Sequence, residues 1–180
     1  RVPDKYDVLE YDNDFPALSQ RPPVPDDVAN DFFETAPAYG KCEVILYSSK
    51  HTATLPDLSV DHVEKLIDLW VQRCKNMAQD KKIKYMFAFE NRGKEVGVTM
   101  PHPHGQIYGY PFVPLTMRTE IDSARQHYED TGGNLFAEWL EEEKKDGRRI
   151  IFEDEHFLVL LPFLSETVYG IRILPKRQFQ

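Results

Sequence analysis

The segment from Ile83 to Val113 constrains this chain most. Ile83, Tyr85, Phe87 and Phe89 alternate with Lys84, Met86 and Ala88, the period-2 pattern of a strand with one mainly aromatic face. A second strand is predicted at 107–113. Between the two lies ENRGKEVGVTMPHPHGQ, in which three glycines and two prolines oppose a regular helix and favour a loop shaped around a ligand. Two strands joined by such a loop call for a sheet at the centre of the fold.

The rest of the chain supplies what a sheet needs. Cys42–Ser48 (CEVILYS) is a short β-branched run typical of a buried strand. From Ser59, a plausible N-cap, apolar side chains recur at Val63, Leu66, Ile67, Trp70, Val71 and Cys74, the stripe of an amphipathic helix that covers a sheet. Residues 19–38 hold four of the 13 prolines and no sustained period, so they read as an extended surface loop. Residues 117–146 read as helical and highly charged, with Leu135, Phe136, Trp139 and Leu140 as the apolar stripe and Gly147 as the stop. Strand patterns return over 150–174.

With 180 residues and 41% hydrophobic content, the chain has apolar material for one compact core. A net charge of -8 argues against a nucleic-acid surface, which requires clustered Lys and Arg. Cys42 and Cys74 form neither a disulfide framework nor a CxxC metal half-site, and a reducing cytoplasm fits two such thiols. No stretch approaches the ~20 apolar residues needed to span a bilayer. No membrane partner is expected.

The sharpest chemical signal is Pro101-His102-Pro103-His104-Gly105-Gln106. Residues two apart in an extended segment point to the same side, so His102, His104 and Gln106 can line one face while the prolines restrict the backbone. Gly105 is expected to let the main chain approach a ligand. Neutral imidazole is a nitrogen nucleophile that needs no prior deprotonation, which suits phosphoryl or nucleotidyl transfer. The competing reading is metal binding by the two histidines. His62, His127 and His156, isolated in sequence, read as ordinary hydrogen-bonded residues.

HPHGQ preceded by FENRG and followed by an aromatic strand resembles the galactose-1-phosphate uridylyltransferases, a branch of the histidine-triad superfamily. Further blocks carry the likeness: YDNDFPAL at 11–18, HTATLPDLS at 51–59 and EHFLVLLPF at 155–163. The resemblance implies an α+β, histidine-triad-like fold, an antiparallel sheet with packed helices. On that pattern residues 1–149 form the first half of a duplicated fold, and 150–180 begin the second. It implies ping-pong transfer of UMP between UDP-glucose and galactose 1-phosphate, with His104 as the nucleophile and Gln106 hydrogen-bonding the transferred phosphoryl group. Histidine-triad hydrolases carry His where Gln106 stands, so Gln favours transferase chemistry. Asn91, Gly97 and Thr99 match phosphate contacts, and Asn13 matches a uridine or ribose contact, although an Asx turn in DNDFP accounts equally for Asn13.

The resemblance also implies metal positions. Zinc-containing members join a CxxC pair to residues matching His51 and His102, and some bind a second metal through a carboxylate matching Glu120. CxxC is absent from this sequence, and two histidines are too few for a closed tetrahedral site, so tight zinc is not expected. No cofactor is required for the chemistry itself. A homodimer is implied, its neighbouring subunit completing the sugar-phosphate pocket. Rival readings are a related nucleotidyltransferase or phosphorylase acting on another sugar phosphate or base, and a nucleotide-binding half-protein that needs a partner chain.

Overall fold

The computed structural model describes residues 2–98, 100–165 and 167–177, which divide into two compact units, 1–114 and 115–180. The first is a four-stranded antiparallel sheet ordered β1-β2-β4-β3, from β1 (Leu9–Asp12), β2 (Lys41–Leu46), β3 (Tyr85–Phe89) and β4 (His104–Tyr110). One helix, α1 (Val60–Met77), packs on it. The second unit holds α2 (Leu115–Thr131), α3 (Leu135–Asp146) and a three-stranded antiparallel sheet of β5 (Ile150–Glu153), β6 (Phe157–Leu160) and β7 (Arg172–Pro175). The fold is therefore α+β with antiparallel sheets throughout. The compact units part at 114/115, so the charged helices group with the strands that follow them. No helix is long and apolar enough to cross a membrane.

Alternation along β2 and β4 sorts side chains between the sheet's two faces. Ile45, Tyr47 and Ile107 point toward α1 and close a core with Leu66, Met77 and Ile83. His104 and Gln106 lie on the opposite face, across from Leu46 and Val44 in register. Tyr85, Phe87, Phe89, Tyr108, Tyr110 and Phe112 form a continuous aromatic ribbon, successive ring centroids 5.1–6.5 Å apart.

Several sequence expectations need correction. The strand placed at 107–113 begins three residues earlier, at His104, and stops before Pro111, whose missing N–H ends the ladder. Ile83 does not share the aromatic face. It precedes β3 and turns into the α1-side core, where Gly109 leaves room for it. Ser59 caps α1 as expected, accepting from the His62 amide, but the buried stripe is rotated: Ile67 and Val71 are exposed, and Leu69 packs instead. The long helix of 117–146 is two, interrupted by Gly132 with its left-handed φ of 74° and restarted by Asn134, whose side chain accepts from the amides of Phe136 and Ala137.

The α1 face also encloses a charge cluster. Glu43 is fully buried and accepts two bonds from Arg73 on α1, at 2.9 and 2.5 Å, with Lys41 at 2.6 Å. Arg73 also lies 3.7 Å from Glu10, and Lys41 lies 3.4 Å from Asp12. Glu10, Asp12 and Glu43 are the one His/Cys/carboxylate trio within common ligand range among the described residues. Each is already opposed by a cation, so they tie strand to helix as an ion network. Glu43→Ala would leave two cations around a buried gap and should cost ~3 kcal/mol in urea unfolding. A loss below ~1 kcal/mol would show that the network adds little.

Candidate functional site

The HPHGQ segment is fixed from beneath. The Tyr47 amide donates to the Pro103 carbonyl at 3.0 Å, between the two histidines, while the Tyr47 carbonyl accepts from His62 Nε2 at 2.7 Å. The Tyr47 hydroxyl lies under Gly105, where any Cβ would overlap it. Gly105 is therefore needed on the buried side of the strand, which corrects the expectation that it serves ligand approach. Burial, reinforced by the adjacent Glu90 carboxylate with which it hydrogen-bonds, pushes the Tyr47 phenol far above its ordinary range, so it stays protonated. Sequence reading missed both Tyr47 and this use of Glu90. The signal available was weak: an aromatic with a polar end in an otherwise aliphatic strand.

His104, the first residue of β4, is half-buried. Its Nδ1 lies 2.8 Å from the His102 carbonyl oxygen. A carbonyl can only accept, so Nδ1 carries a proton, and in the neutral imidazole it is Nε2 that holds the lone pair. Two residues on, Gln106 Oε1 accepts from Asn13 Nδ2 at 3.2 Å, which links β4 to the segment after β1. Asn13 Oδ1 accepts from the Phe15 amide at 2.9 Å. Asn13 thus forms the Asx turn and meets Gln106 at the same time. Asn91 and Arg92 join His102 and His104 around a small cavity of about 100 Å³. Gly97 is exposed, ends a short 3-10 turn at Lys94–Val96 with φ 77°, and is not among that cavity's walls. Thr99 lies outside the described residues.

His102 is buried between Tyr6, whose hydroxyl is 2.8 Å from its Nε2, and His51, whose Nδ1 is 2.9 Å from its Nδ1. These residues border a cleft of about 600 Å³ with Tyr11 and Leu46. The paired imidazoles are the described residues best placed to offer neighbouring nitrogens to a metal, yet no cysteine or carboxylate among the described residues joins them within ligand range. Two donors leave a tetrahedral ion half-coordinated, so these residues alone do not fit a closed zinc site. Glu120 lies on α2 in the second unit, 3.6 Å from Arg172, and belongs to no ligand trio among the described residues. Cys42 is buried and Cys74 half-buried against the core, and burial raises the Cys74 thiol above its ordinary value.

The antiparallel sheet that carries His104 and Gln106 has a fold of the uridylyltransferase type. A solved structure described as a uridylyltransferase superposes with a TM-score of 0.87 at 31% identity, covering 96% of this chain and 54% of that one. An ADP-glucose phosphorylase from Arabidopsis thaliana, solved with bound ADP-glucose, superposes at 0.80 with 25% identity, covering 96% and 52%. The galactose-1-phosphate uridylyltransferase of Thermotoga maritima is 40% identical over 176 residues, 98% of this chain and 55% of that protein. Residues 1–114 match the family described as galactose-1-phosphate uridyl transferase, N-terminal domain. The chain belongs to that family, and it spans about half the length of the curated relatives it matches.

Burial first, and then the neighbouring His51, hold the His102 pKa below its ordinary 6.5. A depressed histidine favours the neutral folded form. Its contribution to stability is therefore full above pH ~6.5 and is lost as pH falls through and below that value. Thermal unfolding should show Tm falling from pH 7 to pH 5.5, with a smaller fall in His102→Asn. An equal fall in both proteins would place the titration elsewhere.

Proposed function

We propose that the chain carries the nucleotide-accepting site of a galactose-1-phosphate uridylyltransferase. The observation that carries this reading is the His104 Nδ1 bond to the His102 carbonyl, which leaves Nε2 as the nucleophile. Nε2 attacks the α-phosphorus of UDP-glucose, a P–N bond forms, and the P–O bond to the β-phosphate breaks. Glucose 1-phosphate leaves with the electron pair and needs no strong acid. Galactose 1-phosphate then attacks the same phosphorus, the P–N bond breaks, and UDP-galactose departs from a regenerated histidine. Gln106 donates from Nε2 to a non-bridging oxygen as charge builds there, a neutral group sufficing because it only orients and stabilises. Asn91, Gly97 and Thr99 are proposed phosphate contacts.

Around this centre we infer a homodimer acting in the cytoplasm, in keeping with the family and with two free thiols. The duplication boundary is placed near residue 149. A metal bound here would be structural, His51 and His102 offering it two nitrogens, and no step of the transfer depends on it. A second metal at Glu120 rests on the family match alone. Likeness to an ADP-glucose phosphorylase supports a second reading, in which AMP is the group transferred.

Incubation with UDP-glucose, followed by mass spectrometry under non-acidic conditions, should place UMP on His104. His104→Ala should remove the label. ADP-glucose labelling the same residue more readily would favour the second reading, and labelled His102 would overturn the assignment. Gln106→Ala should lower kcat/KM by ~10²–10³ with the fold intact. Elemental analysis of the 180-residue protein should find no stoichiometric zinc; one tightly held ion per chain would mean that ligands beyond the two histidines have been misread.

A further inference from the structure

A carboxamide presents an acceptor on one side and a donor on the other, and rotation by half a turn exchanges them. Gln106 is useful to a developing phosphoryl charge in only one of these orientations, with Nε2 toward the charge. Nothing in β4 itself selects it. Asn13 does, through two bonds of opposite sense. The Phe15 main-chain N–H can only donate, so the Asn13 atom 2.9 Å away is oxygen. The other Asn13 atom is then nitrogen, and it can only donate to Gln106, 3.2 Å away. That makes the facing Gln106 atom its oxygen and directs Nε2 to the other side, where no hydrogen bond engages it among the described residues. Both amides are half-buried, so water competes with this chain only in part.

From this we infer that Asn13 is a positioning residue, one that transmits the polarity of the Phe15 amide through its own carboxamide to Gln106 and keeps the Gln106 donor turned toward the phosphoryl group. This deepens the proposed transfer reaction and rests on it. It differs from a direct nucleotide contact by Asn13, because the effect must pass through Gln106. The Asx turn, otherwise a purely local feature of DNDFP, becomes the fixed end of the device.

Asn13→Asp tests the idea. One carboxylate oxygen keeps the Phe15 bond, and the other faces Gln106 with an acceptor, so Gln106 turns its NH₂ inward and its oxygen toward the phosphoryl group. In the parent background kcat should fall ~10–10²-fold with KM changed far less. In a Gln106→Ala background the same substitution should lower kcat at least ~10-fold less, since there is no amide left to turn. An equal loss in both backgrounds, or a loss seen mainly in KM, would mean that Asn13 acts on the nucleotide directly and would overturn the inference. A second measurement does not depend on turnover. The Asn13 side-chain NH₂ resonances, identified by their disappearance in Asn13→Asp, should exchange more slowly than those of exposed asparagines and lose that protection in Gln106→Ala. If Gln106→Ala leaves them unchanged, the amide chain does not exist and the inference fails. If the parent forms no UMP adduct while the resonances behave as expected, the transfer reaction is the part that falls, and the amide chain stands.

Discussion

The register of β4 between β2 and β3 is the constraint on which the first unit depends. It sends Gly105, Ile107 and Gly109 toward α1 and sends His104, Gln106, Tyr108 and Tyr110 to the other face. A slip by one residue would drive an imidazole and an amide into the apolar core and place Ile107 in the open, so the hydrophobic effect that buries Ile45, Leu66 and Ile107 is the same force that presents His104 and Gln106 on the other face. The glycines take part in this. With no side chains, Gly105 and Gly109 admit Tyr47 and Ile83 to the space beneath the strand, and the close approach holds the register from below.

Much of this was legible in the sequence because it is local. A period-2 aromatic run, a Ser N-cap ahead of an apolar stripe and a proline-restricted His-x-His-x-Gln row each express backbone geometry over a few residues. They produced β3, α1 and the shared face of His104 and Gln106. The family resemblance identified the roles to look for. What could not be read depends on partners far apart in the chain. Asn13 and Gln106 are 93 residues apart, and Tyr6 and His102 are 96 apart, separations at which no spacing rule applies. Asn13 is instructive because its oxygen forms the Asx turn legible in DNDFP, while its nitrogen bonds Gln106, a partner that no local pattern names.

The helical errors have a similar origin. Ile67 and Val71 satisfy the period of an amphipathic helix but face outward, because the helix orients on what the sheet offers it, including the buried Glu43 that Arg73 must reach. Periodicity says that a stripe exists, whereas its rotation is set by the opposing surface. At Gly132–Gly133 the charge pattern continued across a break that glycine's access to left-handed φ made favourable.

The two orienting bonds of the site share a property that matters for how such a site can change over time. His104 is aligned by the carbonyl of residue 102, and Asn13 by the amide of residue 15. Main-chain atoms do not titrate and, proline's missing N–H aside, are present whatever side chain is attached. Alignment of the His104 ring therefore makes no demand on the imidazole of His102, which is released for a separate engagement with His51 and Tyr6. One residue can thus hold two independent duties, one in its backbone and one in its side chain. A lineage could exchange the second while the first remained intact.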